Sequence, residues 1–332
     1  MQLDTVFTEG ALVDIDISTG TFERRLQPED LGLDPKKLSK AFKLGSKSLM
    51  PAEIVSEFKH HDYKARSLLA QMSFSFPFGG ARFIPKKTLV EFAEKMEKVI
   101  ESFNISVAKL VDNYEKYKLQ MRQYYVEAAN NAYDTLTQMH GLKADKTEFI
   151  NGFLERVDKF YPKLSEVSKK FNMDYQVFQV ALPDLSQASY EDMATESAKV
   201  KMLEDAYKSK ISRKINEFVN SLVGELRAKA ENVLKKVEAG FVNNKRYTEA
   251  THRMLKEMIE SYGSLNIVGD KEFQQDLENF KTKFLGNQAK TIRENQDLRK
   301  QILEALKGLT KRVLDQSEIH KLAEAYRSKL KV

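Results

Sequence analysis

Between Pro85 and Gly141 apolar residues recur at steps of three and four: Leu89, Phe92, Met96, Val99, Phe103, Val107, Leu110, Tyr114, Tyr117, Met121 and Tyr124. No proline or glycine interrupts the run. This period predicts one long amphipathic helix from about Pro85 to Met139, ended by Gly141. The stripe is nearly heptad, with an interruption around Phe103 and Val107 that locally unwinds a left-handed supercoil. A second run follows Pro183, the last proline of the chain. Ser189 reads as its cap. Leu203, Tyr207, Ile211, Ile215, Phe218, Leu222, Leu226, Ala230, Val233 and Val237 carry it to about Gly240. Steps of four dominate there, which favours straight packing over a leucine zipper.

Shorter helices fill most of the rest. Asp34 before Pro35 reads as a cap and first-turn proline for a helix stopping near Gly45. Pro51 opens another, with Ile54, Val55, Phe58, Ala65, Leu68, Leu69 and Met72 on its apolar side. Further helices are expected at about 145–160, up to Phe171, and at about 248–262, 270–285, 288–314 and 317–330. One clear β pattern precedes them, where Val13, Ile15 and Ile17 alternate with Asp14 and Asp16. After a turn at Ser18-Thr19-Gly20, Phe22, Arg24 and Leu26 are expected to return as the second strand of a hairpin. An isolated hairpin is marginal in water, so it must dock on helices or pair with another chain. Asn172 to Leu182 is ambiguous, with a short strand possible before Pro183. The aromatic loop of Phe74, Phe76 and Phe78 is expected to pack on the N-terminal helices, with Gly79-Gly80 making a tight turn.

These patterns predict a mainly α protein. The expected form is an elongated helical bundle or antiparallel coiled-coil arm with a small N-terminal α+β region. Its stretches are 1–84, an α+β region with short helices; 85–182, a long helix with return helices; and 183–332, a second long helix with a C-terminal helical bundle.

Composition narrows the chemistry. The 332 residues contain no cysteine, which rules out disulfides, thiolate nucleophiles and cysteine metal sites. That fits a reducing cytoplasm. No run approaches the ~18 apolar residues of a membrane span, and Met1-Gln2-Leu3-Asp4 lacks a signal-peptide start. A soluble intracellular protein making no membrane contact is expected. The net charge of +6 pulls only weakly toward anions, because 54 basic residues face 48 acidic ones.

Candidate sites are few. Leu44-Gly45-Ser46-Lys47-Ser48 glances at a phosphate loop, but Lys40 stands where the first glycine belongs and Ser46 where the lysine belongs. A helix stop and turn is the simpler reading. His60 and His61 are adjacent, so on a helix they point about 100° apart and cannot share one ion. His140, His252 and His320 stand alone. Asp14 and Asp16 share a strand face, where a cation site competes with the ordinary solvent side of a strand. Tyr114, Tyr117, Tyr124, Tyr125 and Tyr133 could stack bases, but three of them lie in the apolar register, which points to core or partner packing. Lys208, Lys210, Arg213 and Lys214 form the clearest basic patch and the candidate nucleic-acid contact. No catalytic, cofactor or metal site emerges, so the chain is read as non-enzymatic.

Three motifs carry a family resemblance. They are Leu26-x-Pro28-Glu29-Asp30-Leu31-Gly32-Leu33, Leu44-Gly45-Ser46-Lys47-x-Leu49-x-Pro51, and Phe78-Gly79-Gly80-x-Arg82-Phe83-Ile84-Pro85 opening the long helix. Over residues 10–125 the chain resembles an uncharacterised family of phages, conjugative plasmids and integrative elements. Members are often encoded beside a MoxR-type AAA+ ATPase and a von Willebrand A-type protein. The resemblance brings no catalytic residues. It implies a helical adaptor in the bacterial host cytoplasm, with the ATPase, the von Willebrand A-type protein or a second copy as partner. Leu89, Phe92, Met96, Val99, Phe103, Leu110, Tyr114 and Tyr117 are the residues expected to pack against it. The alternatives are a nucleic-acid-binding protein using the basic helix, and a phage structural or scaffolding protein.

Overall fold

The computed structural model describes residues 9–20, 22–26, 45–77, 79–140, 145–178, 194–242 and 247–329. The expected helix from Asp34, the stop at Gly141 and the cap at Ser189 lie outside them. Helix dominates, with eleven α-helices and six strands among the described residues. The order is β1 (Gly10–Thr19), β2 (Glu23–Arg25), β3 (Ser46–Ser48), α1 (Ala52–Met72), β4 (Phe74–Ser75), β5 (Arg82–Pro85), α2 (Lys86–Asp112) and α3 (Tyr114–His140). There follow α4 (Lys146–Asp158), α5 (Leu164–Val167), β6 (Phe171–Phe178), α6 (Ala194–Val242), α7 (Glu249–Leu265), α8 (Lys271–Phe284), α9 (Ala289–Glu294), α10 (Gln296–Val313) and α11 (Gln316–Lys329). One sheet has the order β4-β5-β1-β6, and β2 pairs with β3 in a second.

The chain forms two compact units, each discontinuous in sequence. The first comprises residues 1–14, 68–94 and 176–332. Its core surrounds the C-terminal half of α6, where Ile215, Phe218, Leu222, Leu226, Ala230 and Leu234 are buried among residues of α7, α8, α10 and α11. Phe74, Phe76 and Phe83 join this core, with the Phe76 and Phe83 rings 5.0 and 5.3 Å from Phe218. The aromatic loop therefore packs on α6, not on the N-terminal helices as expected. Phe78 lies outside the described residues. Strand β1 enters antiparallel to β5, Gly10 opposite Pro85. A Cβ on Gly10 would stand 2.3 Å from the Ile84 carbonyl oxygen, so only glycine fits.

The second unit comprises residues 15–67 and 95–175. Phe58, Phe103 and Phe171 form its aromatic centre, with Phe58 5.6 Å from Phe103 and 4.5 Å from Phe171. Phe22 adopts a positive φ of 46° after Gly20 at 44°, which turns the chain away from β1. The expected hairpin does not form: β2 pairs with β3, Arg24 opposite Lys47. Ser46–Ser48, in the supposed helix stop and turn, is thus a strand. Helices α3 and α4 pack on each other, and Asp145 caps α4 through the Glu148 N–H.

Two expected helices are each broken once. Asn113 separates α2 from α3, and its side-chain amide and backbone N–H both donate to the Lys109 carbonyl, at 2.9 and 3.1 Å. Asn295 separates α9 from α10 and caps α10 by accepting the Leu298 N–H at 2.9 Å. The ambiguous stretch after Phe171 is a strand as far as Phe178.

Candidate functional site

The deepest polar centre grows from a single arginine on the core face of α6. Arg227 is 2% exposed, with its guanidinium 4.6 Å from the centroid of the Phe273 ring. Nε donates to Asp270 Oδ2 at 2.6 Å, Nη1 to the Arg312 carbonyl at 2.8 Å and Nη2 to Glu318 Oε2 at 3.0 Å. The Tyr262 hydroxyl donates to the same Asp270 oxygen at 2.6 Å. Asp270 is held in place locally, because Gly269 at φ +80° lets Asn266 Oδ1 accept both the Gly269 and Asp270 N–H groups. At the rim, Arg312 meets Glu318, Asp276 and Glu272. Burial works most strongly against the Arg227 charge, but the Asp270 bond and charge, with Tyr262 and Glu318, together raise the pKa above its ordinary value. Burial, then Asp270, also raises Tyr262. Arg227 stays charged and Tyr262 stays neutral, and the centre ties α6 to α7, α10 and α11.

A second centre lies in the other unit. The Ser106 hydroxyl donates to Glu57 Oε1 at 2.5 Å, and His61 Nε2 stands 3.0 Å from Ser106 Oγ. With the hydroxyl proton committed to Glu57, the imidazole is the donor to Ser106. Buried Nδ1 is left without a hydrogen-bond partner. Burial lowers the His61 pKa, with Glu57 opposing and His60 and Lys64 reinforcing. Serine, histidine and carboxylate therefore meet, with Ser106 donating to Glu57 rather than to His61. His61 packs edge-on to Phe103 at 5.9 Å.

A third cluster ties α6 to a helix end and a strand edge. Lys229 donates to the Ala70 carbonyl in the last turn of α1, and Glu225 accepts the Ser75 N–H of β4 at 2.9 Å. Burial, then Arg82, lowers the Lys229 pKa to about 8, with Glu225 opposing. Arg82 is spent on Ser73 and Ser75.

The expected site residues fall elsewhere. Phe92, Met96, Val99, Phe103, Leu110 and Tyr114 are buried within the chain itself, and Leu89 and Tyr117 are half-buried. As a free face for a partner this stripe is corrected: it is core, because the aromatic centre and its neighbours already cover it. The Tyr114 hydroxyl donates to the Pro162 carbonyl at 2.8 Å, and burial pushes its pKa up to about 12. Tyr124 is exposed. Lys47, from the phosphate-loop lookalike, lies over the Phe160 ring at 4.0 Å. Asp16 accepts from Asn172 at 2.9 Å. Among the described residues no group of three or more His, Asp or Glu side chains could hold a metal. Of the basic patch, Lys210 and Arg213 are exposed and Lys214 is half-buried, while the Lys208 side chain lies outside the described set. Glu217 lies 3.8 Å from Arg213 and 3.3 Å from Lys214.

Sequence reasoning missed all three polar centres. Arg227 had a signal, since it stands in the register of Val223, Ala230 and Leu234, where a lone cation must find a buried anion. The Ser106 cluster had none, because its members lie on two helices far apart in sequence.

The family described as "Protein of unknown function (DUF3150)" matches residues 8–287, and the chain belongs to it. No curated protein and no solved structure gives a significant match. No helix of the described residues is long and apolar enough to cross a membrane.

Proposed function

We propose that this member of the DUF3150 family is a non-enzymatic helical adaptor of a mobile element, acting in the bacterial cytoplasm on an AAA+ ATPase. The carrying observation is the division of α6. Its 49 residues begin at Ala194, yet the first buried side chain described is Ile215. The described side chains from Met202 to Lys214 are exposed or half-buried. These described side chains, Lys210 and Arg213 among them, offer an exposed helical face suited to recognition. The α3–α4 hairpin is the second candidate arm: after Tyr114, Ala129 is the only buried side chain described on α3. The AAA+ ATPase and von Willebrand A-type protein enter through the family resemblance. A pull-down against the neighbouring ATPase is expected to retain the complex. Failure with and without ATP refutes the reading.

Exposed Lys210 and Arg213 support a second reading, in which the same helix contacts nucleic acid. A gel shift that fades steeply with salt would support it. Self-assembly through the α2 stripe loses its motive, because that stripe is buried.

A further inference from the structure

We infer that two copies of this chain pair antiparallel through α3, the row of Tyr117, Met121, Tyr124 and Ala128 on one copy lying against the same row on the other. The pairing goes beyond the adaptor reading and does not depend on it. Past Tyr114 this row leaves the core: Tyr117 and Met121 are half-buried, Tyr124 is 57% exposed and Ala128 is exposed. Steps of four, three and four keep the four residues within roughly 60° of arc on an α-helix. Helix α4 meets α3 on another side, where Arg122, Tyr125 and Tyr133 reach Asp158, Phe153 and Phe149. That side lies roughly 115° round the helix from the row.

The row is complementary to itself. With Tyr117 of one copy opposite Ala128 of the other, Met121 comes opposite Tyr124, and a two-fold axis repeats both pairs. The bulky Tyr117 thus meets the small Ala128, as interdigitating helix faces require. The same register answers the charges. Lys116 and Glu127 are exposed on one flank of the row, at the same spacing as Tyr117 and Ala128. Among the described residues no ion pair within the chain holds either of them. Antiparallel pairing brings Lys116 of each copy to Glu127 of the other, whereas parallel pairing in register sets like charge beside like. Opposed helix dipoles favour the same orientation. A different protein would have to supply a carboxylate and a cation at that spacing, and a second copy carries both. From Tyr117 to Ala128 the row runs roughly 17 Å, a small contact, so the dimer forms reversibly.

Sedimentation velocity of the full-length chain, from low micromolar to near-millimolar concentration, tests this. A shift from monomer to dimer is expected. Tyr124→Lys, at an exposed position that leaves the monomer's core untouched, should weaken association at least about tenfold. Lys116→Glu or Glu127→Lys alone should weaken it severalfold, and the two together should restore it, because each copy then offers the exchanged charges. Circular dichroism checks that every variant remains folded. Orientation is read by cross-linking, which the absence of cysteine makes direct. Lys116→Cys protein mixed with size-tagged Glu127→Cys protein should form a mixed disulfide. Ala128→Cys protein alone should not cross-link, since antiparallel copies hold the two thiols roughly 17 Å apart. A chain that stays monomeric throughout, or association untouched by Tyr124→Lys, overturns the inference. So does a charge-exchanged double variant no stronger than the single ones, or an Ala128→Cys protein that cross-links to itself.

Discussion

Arg227 and His61 are both buried polar side chains on long helices, yet they solve burial in opposite ways. Arg227 keeps its charge and surrounds it with Asp270, Glu318, a backbone carbonyl and the face of Phe273. His61 gives up its charge and still leaves Nδ1 unpartnered. The comparison teaches that a buried ion needs a cage from several elements, whereas a buried neutral ring needs one good bond and tolerates one missing. The first arrangement fails when any member is removed. The second fails when a proton arrives.

The sharpest way to break the comparison is Arg227→Met. It strands Asp270, and should cost about 3–5 kcal/mol in chemical denaturation. Pairing it with Asp270→Asn should recover part of that loss, because the orphaned charge is gone while the Tyr262 and Phe273 contacts can be re-formed. Ser106→Ala comes next. It leaves both His61 Nε2–H and Glu57 without their shared partner and should cost about 1–3 kcal/mol by the same measurement. Arg312→Ala tests the rim, where Arg312 is 30% exposed and its partners are wetter. It should cost only about 1 kcal/mol, and a loss as large as that of Arg227→Met would erase the distinction between cage and rim.

The smallest effect is the pH dependence. Burial depresses the folded-state pKa of His61 below the ordinary value of 6.5. The unfolded chain then takes up the proton first, so stability is complete above about pH 6.5 and declines as pH falls toward the folded pKa. His252 shifts in the same direction, mainly through burial. His61→Gln should therefore remove part of the acid sensitivity and leave the part that belongs to His252. A denaturation series across pH 5 to 8 measures both. An unchanged pH slope in His61→Gln would show that the ring is already free to protonate in the folded protein.

Much of the helical fold was legible because helix starts are local chemistry. Asp145, Thr248 and Asp270 each cap the helix that follows, as their residue types suggest. The breaks at Asn113 and Asn295 were not legible, since one amide side chain decides each and the apolar period runs on through both. Strand pairing was misread for a different reason. The partners of β1 and β2 are set by contacts remote in sequence, and Phe22 takes a backbone conformation rare for its type. The α2 stripe was legible as apolar, but whether the chain itself or a partner covers it was not, because periodicity marks a face without saying what meets it.

The interleaving of the two units carries a consequence for how the protein is made. Ribosomes release a chain from its first residue onward, and the unit built from residues 15–67 and 95–175 is complete by the time Tyr175 emerges. Its counterpart must wait: Phe74, Phe76 and Phe83 are synthesised long before Phe218, the ring they close upon. During that interval these aromatics lack the Phe218 ring, and a nascent-chain chaperone should find a foothold there.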